Sequence, residues 1–455
     1  MKYLKEAYYL SPFVVISFLL VFTRPFVGLS ILGFRIGELL VVFGFFVVIF
    51  SPIYYFFAQK KFNLSKFKNI QTVFTLILIS FCISIVINNT AITNSYTYKI
   101  SSYIWTAGYL FLVIYFFKDK NTIQKYNKII SIIFLFIPIA HYFLSTGFYP
   151  NVIIDFFKIN SDKFEFTKAS DIMLSFVVAN LLNFKLNKND TFKIYYLYLT
   201  GAMLLPLLLF MSRGSFLAGF IFIAIFSVYN FQYFVTNFKK TLKILISTFL
   251  VFTFSTYNIN GTEINYSFNL VANNASSDNT LSVTENIKEI AKKDKQRKAF
   301  LSLYFENGRI YSHDPTTDWR LDIWQDVYED LSMKSLISKG YGYDEIIPVM
   351  LDPSAPGRLG RDGLNEHVHN YFVNIFARGG LFQFLLYVAF YGVIIMYWKD
   401  KYKNFSILIF LMPILLNSTL DMSMEGVQYP VVFFLFLGFL LNNGLEMKLN
   451  KINNK

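Results

Sequence analysis

A chain of 455 residues that is 55% hydrophobic and 20% aromatic yet only 16% charged, with a mean hydropathy of +0.44, falls outside the range of soluble globular proteins and reads as a polytopic membrane protein. Its net charge of +13 does not mark a nucleic-acid binder, because the lysines are distributed as a topology signal, in alternate connections between apolar runs. Cys82 is the one cysteine, which excludes a disulfide framework and a thiolate metal cage.

A helix needs roughly 17 to 25 predominantly apolar residues to cross about 30 Å of hydrocarbon. About twelve stretches near that length follow one another, near residues 8–23, 37–58, 70–88, 101–117, 128–145, 171–184, 194–211, 214–235, 241–257, 371–397, 404–420 and 429–444. The first follows Met1-Lys2-Tyr3-Leu4-Lys5 with no small-residue cleavage site after it, so it reads as a retained helix and not as a signal peptide. Lysines group at Lys2 and Lys5, Lys60 to Lys68, Lys118 to Lys128, Lys185 to Lys193, Lys239 to Lys243, Lys399 to Lys403 and Lys448 to Lys455. The positive-inside rule then places both termini in the cytoplasm and the connections near 89–100, 146–170, 212–213, 257–370 and 421–429 outside. The expected fold is all-α, with about twelve transmembrane helices and one large, partly helical exterior loop between helices nine and ten. It divides into 1–256 (helices one to nine), 257–370 (the loop, as a lid) and 371–455 (helices ten to twelve and a cytoplasmic tail).

Within the loop, Asn258 to Asp278 is rich in Asn, Ser and Gly and predicts irregular chain. Ser282-Val283-Thr284-Glu285 matches a capping box and predicts a helix running into the basic stretch Lys292 to Lys298. That stretch is either a solvated helix face or a contact for lipid phosphates. A second helix is predicted by Leu321, Trp324, Val327, Tyr328 and Leu331 at helical spacing, with Asp318 able to cap it and an end at Ser338-Lys339-Gly340. Its apolar face is expected to rest on the outer surface of the membrane helices.

Three places could carry chemistry. Asn365-Glu366-His367-Val368-His369-Asn370-Tyr371 lies at the exterior mouth of the tenth span. There His369 could accept a proton from a hydroxyl, since the ordinary pKa of imidazole is about 6.5; it could equally anchor the helix end, with Asn370 beside it. His367 is the rival base, two residues away, and a two-histidine metal site is a further reading. Ser212-Arg213-Gly214 forms a tight exterior turn, where a guanidinium beside a helix N-terminus suits phosphate or pyrophosphate, although an interfacial arginine also snorkels without any ligand. Arg320, next to Trp319, stands near a helix start, which calls for an anionic partner: one across the cavity, or Asp318 or Asp322. Arg35 with Glu38, and Asp421 with Glu425, are weaker candidates. No Asp-x-Asp pair stands in the first exterior connection, which argues against a divalent-metal transferase, and neither a P-loop nor a dinucleotide fingerprint occurs.

Taken together, Met211-Ser212-Arg213-Gly214-Ser215-Phe216-Leu217-Ala218, Arg320-Leu321-Asp322-Ile323-Trp324, Lys339-Gly340-Tyr341-Gly342, His369-Asn370-Tyr371-Phe372 and Arg378-Gly379-Gly380-Leu381 resemble, in their order around one large exterior loop, the bacterial O-antigen ligase and O-antigen polymerase group. The likeness covers roughly residues 194–397. It implies a glycosyltransferase of the inner (cytoplasmic) membrane whose active site faces the periplasm and which needs no metal or other cofactor. The donor would be an undecaprenyl-pyrophosphate-linked saccharide, and the acceptor either lipid A-core (a ligase) or a second lipid-linked glycan (a polymerase). On that resemblance His369 is the base and Arg213 and Arg320 bind the pyrophosphate. Two departures are the extra His367 and Arg378, where relatives often carry an acidic or neutral residue. A lipid-linked oligosaccharide flippase or other transporter is the alternative of a different class; it would place charges near the bilayer midplane and show paired halves, neither of which the sequence displays.

Overall fold

The computed structural model describes residues 2–58, 64–117, 120–147, 150–163, 168–259, 302–355, 357–359 and 366–444. The predicted irregular segment after Ile259, the capping-box helix and the basic stretch 292–298 lie outside the described residues. In chain order the elements are α1 (Lys2–Gly28), the hairpin β1 (Ser30–Ile31) and β2 (Phe34–Arg35), α2 (Ile36–Ala58), α3 (Lys68–Ile87), α4 (Ser95–Ile100), α5 (Ser102–Thr106), α6 (Gly108–Phe116), α7 (Lys120–Lys125), α8 (Asn127–Ser145), α9 (Asn151–Asn160), α10 (Ala169–Leu186), α11 (Asp190–Met211), α12 (Arg213–Tyr229), α13 (Phe231–Thr236) and α14 (Phe238–Ile259). The loop region then gives the antiparallel hairpin β3 (Leu303–Glu306) and β4 (Arg309–Ser312) and α15 (Pro315–Met333), and the chain closes with α16 (Tyr371–Tyr402), α17 (Leu408–Leu420) and α18 (Gln428–Asn443).

Each predicted span is occupied by helix, as lipid demands of any segment that must satisfy its backbone polar groups internally. Eight helices among the described residues are long and apolar enough to cross a membrane, while Ser102–Phe116, Arg213–Tyr229, Leu408–Leu420 and Gln428–Asn443 are shorter apolar helices. Burial separates centre from periphery: 89% of the apolar window of α10 is buried against 22% in α2 and 17% in α14. Helix α10 is thus the hub. The outer helices turn large apolar side chains such as Phe46, Phe50, Phe249 and Leu250 outward, where lipid and not water would cover them.

The loop region has a core of its own. Ile323, Val327 and Leu331, one face of α15, are buried against Ile347, Val349, Met350, Val368 and Ala377. This corrects the predicted stripe: Tyr328 is exposed, and the helix leans on the returning half of its own loop and the first turns of α16, with less resting on the membrane helices. The cap also shifts, to Asp314 from Asp318, its carboxylate accepting from the Thr317 N–H at 3.1 Å, and the helix ends at Met333. The acidic face of α15 does not face water alone. Arg309 from β4 bonds Asp326 at 2.6 Å and lies 3.6 Å from Glu329, while the buried Arg358 bridges Asp322 and Asp326 and donates to the Val349 carbonyl at 2.9 Å.

Two glycine-bearing motifs that look independent in sequence form one joint. Helix α16 is broken at Gly380 (φ 72°), and residues 337–342 thread the break: Tyr341 N–H donates to Ala377 O at 2.8 Å, Gly342 N–H to Arg378 O at 3.0 Å and Leu381 N–H to Ile337 O at 2.8 Å. A Cβ on Gly340 would stand 2.4 Å from Arg378 O, and one on Gly380 2.2 Å from Ser338 O, so backbone meets backbone where no side chain fits. Arg378, buried inside the joint, donates to the carbonyls of Gly342 and Glu345. Its place in sequence had suggested a departure from the family; its role is to hold the loop. Tyr343 completes the anchorage by entering the main core, where its hydroxyl meets that of Tyr103 at 3.1 Å.

Candidate functional site

Arg213 is placed by a one-residue break between two helices. Ser212 is extended and caps α12, its hydroxyl accepting from Ser215 N–H at 3.4 Å, so that Arg213 is the first helical residue. The helix can seat so deeply because residue 214 is glycine: a Cβ there would lie 2.8 Å from the Leu420 side chain. Ser215 then bonds Asn417 at 2.8 Å, which ties α12 to α17. The Arg213 guanidinium reaches across to Asp314 at 2.8 Å. Burial pushes the Asp314 carboxyl up, but the Thr317 hydroxyl, the Thr317 N–H and Arg213 together hold it below the usual range, so it is an anion.

Arg320 comes from the loop and lands on the same spot. It lies in the second turn of α15 and pairs with neither Asp318 nor Asp322; its guanidinium donates to the carbonyl of Leu420, the residue that Gly214 abuts. Burial draws its pKa down, and Asp421 and Asp314 oppose that shift. Two carboxylates thus act on Arg320, Asp421 just past the C-terminal end of α17 and Asp314 at the cap of its own helix α15.

The histidine segment is held between α15 and α16. Trp324 Nε1 donates to Val368 O at 2.7 Å, the Trp319 ring lies edge-on to His369 with centroids 5.1 Å apart, and Asn370 caps α16, its side chain accepting from Phe372 N–H at 3.0 Å and Val373 N–H at 3.1 Å. Asn370 thus caps the helix end. His369 takes a left-handed backbone (φ 54°), uncommon for a residue that is not glycine. His367 and His369, two residues apart, both sense the Glu425 carboxylate. His367 Nδ1 lies 3.0 Å from Glu425. For His369, burial pushes the pKa down to about 4, with Glu425 and Asp421 raising it and Arg320 and His367 lowering it. At neutral pH the ring is uncharged.

The structure thus gathers His369, His367, Arg320, Asp421 and Glu425 into one charge cluster, to which Arg213 is joined through Asp314. It sets Arg35 apart, paired with Asp162 at 2.8 Å and near Glu38 at 3.9 Å. Asp314 is the residue that sequence reading missed; Asp before Pro at a helix start was its available signal. Asp421 and Glu425, weaker candidates in sequence, both belong to the charge cluster. Among the described residues no three His, Cys, Asp or Glu side chains are grouped so as to hold a metal ion. Two guanidiniums on separate helices and the N-terminus of α12 can take an anion, and a neutral imidazole beside them can take a proton.

Residues 198–388 match the family model of the O-antigen ligase domain, a span that runs from within α11 to within α16 and so contains Arg213, Asp314, Arg320, His367 and His369. Comparison with curated proteins gave no match.

Proposed function

We propose that the chain, whose residues 198–388 match the O-antigen ligase family model and which has several helices long and apolar enough to cross a membrane, is a glycosyltransferase that moves a saccharide from a lipid pyrophosphate to an acceptor hydroxyl. The observation that carries this reading is the neutral, buried imidazole of His369 in one charge cluster with Arg320, and through Asp314 with Arg213. In the reaction the acceptor oxygen forms a bond to the anomeric carbon as the bond from that carbon to the pyrophosphate oxygen breaks. His369 takes the hydroxyl proton, and Arg213 and Arg320 take the charge that grows on the departing pyrophosphate. Direct displacement inverts the anomeric centre. Pyrophosphate is a good leaving group, so positioning and charge stabilisation supply the catalysis without a metal. Asp314 holds Arg213 until substrate arrives, and Asn370 fixes the helix end behind the base.

The donor that fits is an undecaprenyl-pyrophosphate-linked glycan, approached from the lipid, with the site on the periplasmic face of the inner membrane and both termini in the cytoplasm, as the lysine distribution argues. Ligation to lipid A-core leads; joining of lipid-linked repeat units by a polymerase uses the same chemistry. Purified protein given a lipid-pyrophosphate glycan with chelator present should transfer it, and His369→Ala should not. Retained transfer in His369→Ala removes the base, and loss of transfer with chelator removes the metal-free mechanism. In cells, deletion should leave polymerised glycan on its carrier lipid for a ligase and single repeat units for a polymerase.

A further inference from the structure

We propose that the β3–β4 hairpin carries a binding platform for the pyranose rings of the transferred or accepting glycan, made by Tyr304, Tyr311 and His313; the proposal rests on the transferase reading above. Tyr304 and Tyr311 are direct cross-strand partners, so both rings stand on one face of the hairpin. They stack with centroids 5.5 Å apart and planes 23° apart, and Tyr304 stacks on His313 at 4.6 Å and 24°. This ladder is open to solvent: Tyr304 is 38% exposed, His313 is exposed and Tyr311 half-buried.

Near-parallel rings partly open to solvent, with two phenol hydroxyls and an imidazole at their edges, match the chemistry of a sugar. The C–H face of a pyranose lies on the electron-rich ring face, while its hydroxyls bond the polar edges. Glu306, in the next cross-strand pair with its side chain on that face, adds a charged partner for hydroxyls, while its partner Arg309 is held by α15. The opposite face carries Leu303, Phe305 and Ile310, with the Ser312 hydroxyl buried, and so exposes no hydrogen-bonding side chain that suits a saccharide.

Position and rigidity support the assignment. His313 immediately precedes Asp314, whose carboxylate holds Arg213 at 2.8 Å, so the ladder ends one residue before the partner of a group proposed to bind the pyrophosphate. A glycan leaving that point along the hairpin would pass over the rings. The hairpin is fastened to α15 by Arg309 to Asp326 at 2.6 Å and by Gln325, which accepts from Ile310 N–H at 2.7 Å and donates to Ile310 O at 2.8 Å. A preformed platform binds without first having to be ordered.

The test uses the full-length protein in lipid nanodiscs and two lipid-free probes from the cells that express it: the O polysaccharide released by mild acid, and the core oligosaccharide lacking it. Binding is followed by saturation-transfer NMR and titration calorimetry, and transfer kinetics are measured alongside. Tyr304→Ala and His313→Ala should each weaken glycan binding about tenfold, the scale of one lost aromatic contact, and should raise KM with kcat unchanged. Tyr304→Phe should retain most of the affinity, and Phe305→Ala on the other face should retain all of it. Weakening with the O polysaccharide assigns the platform to the donor glycan, and weakening with the core to the acceptor. His313 lies outside both strands, so its variant serves if Tyr304→Ala disturbs the hairpin. Unchanged binding and KM in His313→Ala and Tyr304→Ala, or no binding of either probe by wild type, overturns the platform even where transfer is normal. Ring-dependent binding without any transfer keeps the platform and overturns the transferase.

Discussion

Protonating His369 should cost the fold a calculable amount. Enclosed by Trp319, Arg320 and the Glu425–Asp421 pair, the imidazole has a pKa lowered by burial from 6.5 to about 4. In the unfolded chain the ring titrates at its ordinary value, so between the two values the unfolded state binds the proton that the folded state refuses. Stability from this group is therefore complete above about pH 6.5 and is lost as pH falls towards 4, and a shift of that size corresponds to ~3 kcal/mol. His369→Asn removes the titration while tolerating the left-handed backbone. Thermal unfolding of both proteins, followed by intrinsic fluorescence from pH 8 to pH 4, should show wild type losing roughly 3 kcal/mol relative to the variant across that window. Catalysis gives a second reading of the same quantity. The pH profile of kcat/KM reports the free enzyme, so its acid limb should fall below about pH 5, where the buried ring titrates, and His369→Asn should lose about 10²- to 10⁴-fold. Parallel melting curves together with an acid limb near 6.5 would refute the argument, because the ring would then be solvated.

Arg213→Lys should lower kcat/KM at least about tenfold although charge is kept, because the planar fork is lost; a steady-state assay with the lipid-pyrophosphate donor decides it. Gly340→Ala places a Cβ 2.4 Å from Arg378 O at a φ of 69°, and should cost roughly 2 kcal/mol or more, seen as a lower melting temperature. Asp326→Ala removes a partner shared by Arg309 and the buried Arg358 and should cost roughly 1–3 kcal/mol, read as faster proteolysis of the loop at unchanged membrane-helix content.

The membrane helices were legible because hydropathy is summed over some twenty residues, and a run such as 37–58 contains little that contradicts it. Arg213 was legible for a similar reason: a charged residue between two apolar runs has few places to be. What escaped was set by contacts across the chain. The amphipathic face of α15 was misjudged because Leu321 and Tyr328 share its spacing with Val327 and Leu331, and only the returning segment 346–350 decides which positions are covered. Asp421 and Glu425 are only weaker candidates in sequence because nothing local says that His367 and Arg320 will arrive from far off. The left-handed backbone at His369 has no signature in a histidine.

The threading of 337–342 through the break in α16 limits how such proteins can exchange parts. A chimera that imports a foreign loop ending before Tyr371 would split the joint, pairing one protein's Gly340 and Gly342 with another's Arg378 and Gly380. The smallest unit that can move intact runs past Leu381, whose N–H still bonds Ile337. By the same geometry, a change of saccharide preference during descent would have to be carried by parts of the loop away from the joint, such as the β3–β4 hairpin, while the glycine pairs stay fixed.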